Sequence, residues 1–128
     1  HIIIVSGEDG LDEFSISATS RVTELVNGRL KQYQLSPEVV GLKRYPLSAV
    51  QVNTPQESAA MILAVLKGEE RGAPHDMVCF NAGAALYVGQ KAASISEGVD
   101  LAKELIRSGQ AYRHYQTMLQ QKEVLRYA

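Results

Sequence analysis

The start of the chain constrains it most. Ile2-Ile3-Ile4-Val5 is an uninterrupted β-branched run. Such side chains are stiff at χ1 and fit a pleated surface. A run without polar alternation reads as a strand covered on both faces, typically inside a parallel sheet. That strand needs neighbours on either side, and the remaining sequence offers few. The chain also opens on it directly, with no Met before it. The 128 residues are therefore expected to be a piece of a longer polypeptide that holds some of those neighbours.

Ser6-Gly7-Glu8-Asp9-Gly10 supplies turn chemistry after the run. Phe14-Ser15-Ile16-Ser17-Ala18 then alternates, with Phe14, Ile16 and Ala18 on one side, which predicts a half-buried strand. Arg21 to Leu35 reads as a hairpin around Asn27-Gly28, the pair preferred in type I′ turns. Its polar strands and imperfect alternation predict an exposed ribbon. Ser36-Pro37-Glu38 predicts a short helix with Ser as cap.

From residue 54 the pattern is helical. Thr54-Pro55-Gln56-Glu57 and Ser94-Ile95-Ser96-Glu97 are capping boxes. Ser58, Met61, Ile62, Val65 and Leu66 follow the first at helical spacing, ending at Gly68. Val99, Ala102, Leu105 and Ile106 follow the second, ending at Gly109. Glu69 to Pro74 reads as a charged loop. Asp76 to Val88 predicts a buried helix, with a strand over Met77 to Phe80 as the alternative. Residues 110 to 128 predict a last amphipathic helix carrying Tyr112, Tyr115, Met118, Leu119 and Val124. Strands first and helices after would, taken alone, indicate an α+β arrangement.

Composition excludes several classes. Hydrophobic residues at 45% and charged residues at 21% describe a folded chain, not a disordered tail. Thirteen Lys and Arg against fourteen Asp and Glu give a net charge of −1. No basic excess exists to track nucleic acid or anionic lipid. No apolar run approaches a membrane span. The one cysteine, Cys79, cannot form an internal disulfide, which agrees with a reducing compartment.

Glu8, Asp9, Asp12 and Glu13 place four carboxylates within six positions, between two expected strands. Loops at strand ends are the usual location of sites in α/β proteins. Four like charges this close repel, and a hard divalent cation would offset that repulsion. Mg²⁺ is commonly held by one or two carboxylates while it bridges substrate phosphates. The alternative is a solvated acidic turn. The spacing does not fit an EF-hand loop.

Gly7-Glu8-Asp9-Gly10-Leu11-Asp12-Glu13 closely resembles the Asp-Gly-Leu-Asp-Glu motif of the anthranilate phosphoribosyltransferases. The resemblance continues in order through Thr54 to Ala59, Asn81 to Tyr87, and Lys91 to Gly98. It implies the C-terminal part of an α/β catalytic domain of the nucleoside phosphorylase and phosphoribosyltransferase type. The helical N-terminal domain and the phosphate-binding loop would lie elsewhere in the polypeptide. The family enzyme joins anthranilate to the ribose of phosphoribosyl pyrophosphate during tryptophan biosynthesis, as a cytoplasmic homodimer. Its Asp-Glu pair holds Mg²⁺ against the diphosphate, and here that pair is Asp12 and Glu13. The resemblance implies no catalytic nucleophile in this chain, and the chain alone is expected to be inactive. Nucleic-acid-binding paralogues and pyrimidine nucleoside phosphorylases are the alternatives within the same fold. The intact motif and the near-neutral charge speak against the first, and the phosphorylase pattern is not expected to carry Asp-Gly-Leu-Asp-Glu.

The remaining reactive residues have structural readings. Asp9 is expected to shape the loop through an Asx turn, and Glu8 to be a solvated neighbour. Cys79 reads as a buried inert thiol. His75 reads as a loop or cap residue and His1 as a chain end, and His114 packs or faces solvent. The three are too scattered for a zinc site. Asn81 to Ala85 reads as close helix packing, and the Tyr112, Tyr115, Met118 stripe as core or partner packing.

Overall fold

The computed structural model describes residues 1–125, with side chains as far as residue 121. One antiparallel sheet of order β1 (Ile2–Gly7), β2 (Ser20–Val26), β3 (Arg29–Leu35) comes first. Two 3-10 turns follow, Pro37–Val40 and Leu47–Ala49. Four helices complete the chain: α1 (Pro55–Lys67), α2 (Ala73–Val88), α3 (Ile95–Arg107) and α4 (Gln110–Leu125). The expected α/β layout of strands and hairpin followed by helices is the one observed.

β1 is neither parallel-paired nor covered on both faces. It runs antiparallel to β2, with Ile2 opposite Leu25 and Gly7 opposite Ser20. Strand side chains alternate between faces, so an all-apolar run must send half of them each way. Ile3 and Val5 pack against the core. Ile2 and Ile4 are on the other face, Ile4 being 68% exposed.

The hairpin forms where the sequence places it. Asn27 at φ 51° and Gly28 at φ 73° occupy the left-handed region that a type I′ turn demands. It is not, however, an exposed ribbon. β2 is the central strand, and Ser20, Val22 and Glu24 on its inner face are buried. Only β3 is largely exposed.

Residues 14–18 are not a strand. Phe14, Ser15 and Ile16 are all buried in succession, which no period-2 element with an exposed face allows. The reason lies in the backbone groups. The Phe14 N–H donates to the Asn81 side chain and the Ser15 N–H to the Ser20 hydroxyl. The Ser17 and Ala18 N–H groups donate to the Ser15 hydroxyl. Side chains take the bonds that a sheet ladder would otherwise make.

Both capping boxes form. The Thr54 hydroxyl accepts the Glu57 N–H at 3.1 Å, and the Ser94 hydroxyl accepts the Glu97 N–H at 3.1 Å. The returning carboxylates accept the N–H groups of Asn53 and Ala93. α2 starts at Ala73, so the charged loop shortens to residues 69–72, and Met77 to Phe80 is helix, not strand. Pro74 fits in that first turn because its missing N–H would have had no helical partner.

The core fills the space between the inner sheet face and the helices, around Phe14, Ile16, Val22, Phe80 and Val99. α4 docks on α1 through Tyr112, whose ring lies 5.7 Å from the Lys67 ammonium and stacks with Tyr115 at 6.3 Å. Met118 and Leu119 remain exposed, so the stripe packs only at its beginning. The Val124 side chain and the helix expected over residues 126–128 lie outside the described residues. Among the described residues no helix is long and apolar enough to cross a membrane.

Candidate functional site

β1 delivers the chain to Gly7, where it turns sharply. The Gly10 N–H donates to Gly7 O at 3.1 Å, and the Gly7 N–H to Leu11 O at 2.8 Å. Gly10 sits at φ 94°, a conformation that a side chain would strain. The Glu8 N–H donates to Thr19 O at 2.9 Å and closes the base of the loop.

Asp9 organises the interior of this loop. Its Oδ1 accepts the Leu11 N–H at 3.4 Å, the expected Asx geometry. Its Oδ2 accepts the Ser15 hydroxyl at 2.5 Å and also the Ser17 hydroxyl. Burial acts to raise the proton affinity of Asp9. The Ser15 and Ser17 hydroxyls and the Leu11 amide outweigh it and hold the carboxyl below its ordinary range. Asp9 is thus a structural anion. Glu8 is exposed and accepts the Gln34 amide at 3.2 Å.

Asp12 and Glu13 stand beyond this knot. Asp12 is exposed and Glu13 half-buried. Glu13 borders a groove of about 550 Å³ whose apolar walls include Leu11, Val50, Met61 and Met77. Burial there, reinforced by the charge of Asp12, lifts the Glu13 carboxyl above its ordinary range. No cluster of three or more His, Cys, Asp or Glu with metal-binding geometry exists among the described residues. Two hard carboxylates on consecutive residues can supply part of an octahedral shell, with water and phosphate oxygens as the remainder. That donor set suits Mg²⁺ and does not suit an all-protein cage.

Asn81 on α2 reaches this loop from below. Its Oδ1 accepts the Phe14 N–H at 2.9 Å, and its Nδ2 donates to Phe14 O at 3.0 Å and Met77 O at 3.1 Å. The pattern of small residues around it indicated packing and hid this role. A polar amide on a buried helix face was nonetheless a signal, since such groups are nearly always partnered. Nothing in the spacing marked Ser15 and Ser17 as Asp9 partners.

The histidines are elsewhere. His1 Nε2 lies 2.7 Å from Glu24 Oε1, and the same oxygen accepts the Tyr87 hydroxyl at 2.8 Å. Glu24 is thereby a buried carboxylate that holds both His1 and Tyr87. His75 lies in the first turn of α2, its Nδ1 3.0 Å from Asp76 and its Nε2 3.6 Å from the Cys79 sulfur. That contact was not expected from the sequence. It does not activate the thiol: burial, helped by the Asp76 charge, pushes Cys79 up to about 12. His114 is exposed on α4.

Comparison with known proteins shows what this chain is similar to. An anthranilate phosphoribosyltransferase of Geobacillus sp. (strain WCH70) is 45% identical over 128 residues, all of this chain and 38% of the relative. The crystal structure of anthranilate phosphoribosyltransferase from Thermus thermophilus superposes with a TM-score of 0.77 at 45% identity. That match covers 86% of this chain and 32% of the other. The Saccharomyces cerevisiae enzyme in complex with PRPP and Mg matches with a TM-score of 0.76 at 33% identity. There 87% of this chain and 32% of the other are covered. The chain therefore spans well under half the length of these relatives. Residues 1–112 match the glycosyl transferase family, a/b domain, and to that family the chain belongs.

Proposed function

We propose that this chain is the C-terminal part of the α/β domain of an anthranilate phosphoribosyltransferase. The whole protein would transfer phosphoribose from phosphoribosyl pyrophosphate to anthranilate, as a cytoplasmic homodimer in tryptophan biosynthesis. Its helical N-terminal domain and phosphate-binding loop would belong to the rest of the polypeptide. The observation that carries this reading is the Asp12–Glu13 pair, consecutive carboxylates with one exposed and one raised in proton affinity beside a groove.

Asp12 and Glu13 would hold Mg²⁺. When bound, the ion neutralises charge on the diphosphate as the bond to ribose breaks. Each residue of the loop has a separate task. Glu13 would supply a carboxylate oxygen from the edge of the groove, and Asp12 would hold the cation at the solvent side. Asp9 ties the loop shut with its own charge already satisfied, so it does not compete for the ion. The amine then needs chiefly to be held in line, and proximity supplies much of the remaining acceleration.

The test is a chimera. Residues 1–112 replace the matching segment of the Geobacillus relative, and transfer activity is assayed with Mg²⁺. Activity is expected to survive the graft and to fall roughly 100-fold or more with Asp12→Ala or Glu13→Ala. An active chimera indifferent to both substitutions overturns the assignment. The isolated chain is expected to show no turnover with both substrates and Mg²⁺ present, and turnover would refute its dependence on the missing part.

A further inference from the structure

We infer that Asn81 is a positioning residue for the Asp12–Glu13 pair, acting through the backbone of Phe14. The inference rests on the magnesium assignment above. Phe14 directly follows Glu13, so the peptide group joining them fixes the direction in which Glu13 leaves the loop. Asn81 grips that residue at two points, accepting its N–H at 2.9 Å and donating to its carbonyl at 3.0 Å. A third bond, to Met77 O at 3.1 Å one turn back on α2, locks the orientation of the amide. The Phe14 ring stacks on Phe80, the neighbour of Asn81, with centroids 4.6 Å apart. The clamp thus stands on a buried helix, not on the loop itself.

The position needs such a clamp. Residues 12 to 18 have no strand ladder to hold them, and adjacent carboxylates at 12 and 13 repel. A neutral amide anchors the loop without adding a third negative charge beside the pair. No hydrogen bond links Asn81 to either carboxylate among the described residues, so its effect on them passes through Phe14.

The experiment uses the 128-residue chain, ¹⁵N-labelled, with Mn²⁺ as the probe. The wild type is expected to show a slowly exchanging Phe14 amide and Mn²⁺ broadening centred on residues 12 and 13. Asn81→Ala is expected to lose the Phe14 protection and to bind Mn²⁺ roughly tenfold more weakly. Val99→Ala removes core volume on α3 and leaves the Asn81 hydrogen bonds to Phe14 in place, so it should leave Mn²⁺ affinity unchanged. Equal Mn²⁺ affinity in Asn81→Ala, or an equal loss in Val99→Ala, overturns the positioning role. Should Asn81→Ala not fold, the wild type still decides: a Phe14 amide exchanging as fast as that of Gly10 removes the clamp. Absence of broadening at residues 12 and 13 in the wild type defeats the metal assignment. Phe14 exchange in Asn81→Ala then decides the clamp separately.

Discussion

Gly98 of α3 lies directly against the carbonyl of Gly83 on α2, backbone to backbone. A Cβ added at Gly98 would strike the Gly83 oxygen, and one added at Gly83 would come within 2.5 Å of the Val99 nitrogen. Backbone cannot retreat as a flexible side chain can. Gly83→Ala and Gly98→Ala are each expected to destabilise the chain by about 1–3 kcal/mol through overpacking. Urea denaturation measures this, and an unchanged midpoint in both variants would refute the close crossing.

Asp9 bonds Ser15, Ser17 and Leu11 at once. Asp9→Ala leaves two hydroxyls and an amide without their acceptor, and is expected to cost about 1–3 kcal/mol at pH 7. The folded state holds this carboxyl below its ordinary value of 3.8. Its stabilisation is therefore complete above that value and is lost as pH falls through the lowered one. The stability gap between wild type and Asp9→Ala should stay constant near neutrality and narrow in acid. A gap that widens in acid contradicts the hydroxyl bonds.

Glu13 has the opposite sign. Burial and the Asp12 charge raise it above its ordinary value of 4.5. The fold thus favours the protonated form, and that contribution fades as pH rises through the raised value. At neutral pH an ionised Glu13 weakens the fold. Glu13→Gln is expected to melt at a higher temperature than wild type at pH 7, with the difference shrinking towards pH 4. The same variant should lose divalent-cation binding. Lower melting at pH 7 would show that the carboxylate is stabilised by something other than a metal.

Cys79 is buried, and its thiol is pushed up to about 12. A thiol reagent at pH 8 is expected to leave the native chain unlabelled and to label it fully in denaturant. Rapid native labelling would mean that the nearby His75 activates the sulfur after all.

The elements with local punctuation were legible in the residues themselves. Asn27-Gly28 named its turn, and Thr54 and Ser94 named two helix starts, because these signals depend on bonds within four residues of one another. The proposed Asp12–Glu13 pair rests on a family motif, and the adjacency of the two residues needs no tertiary structure. Residues 14–18 misled, since alternation reports side-chain spacing and not where backbone bonds go. Asn81, Ser15 and Ser20 claimed those bonds, and Asn81 lies 67 positions away from Phe14.

The first feature of the chain shows the same division. Ile2 to Val5 determined by itself that a strand would form, because β-branched residues favour extended backbone. Its partner and the fate of each face were decided by tertiary structure. β2 supplied an antiparallel edge, the core received Ile3 and Val5, and Ile4 was left outward. Likewise the sequence alone determined that two carboxylates would be adjacent. Only the folded chain set one in solvent and the other against an apolar groove, because that difference depends on what α1 and α2 bring beside the loop.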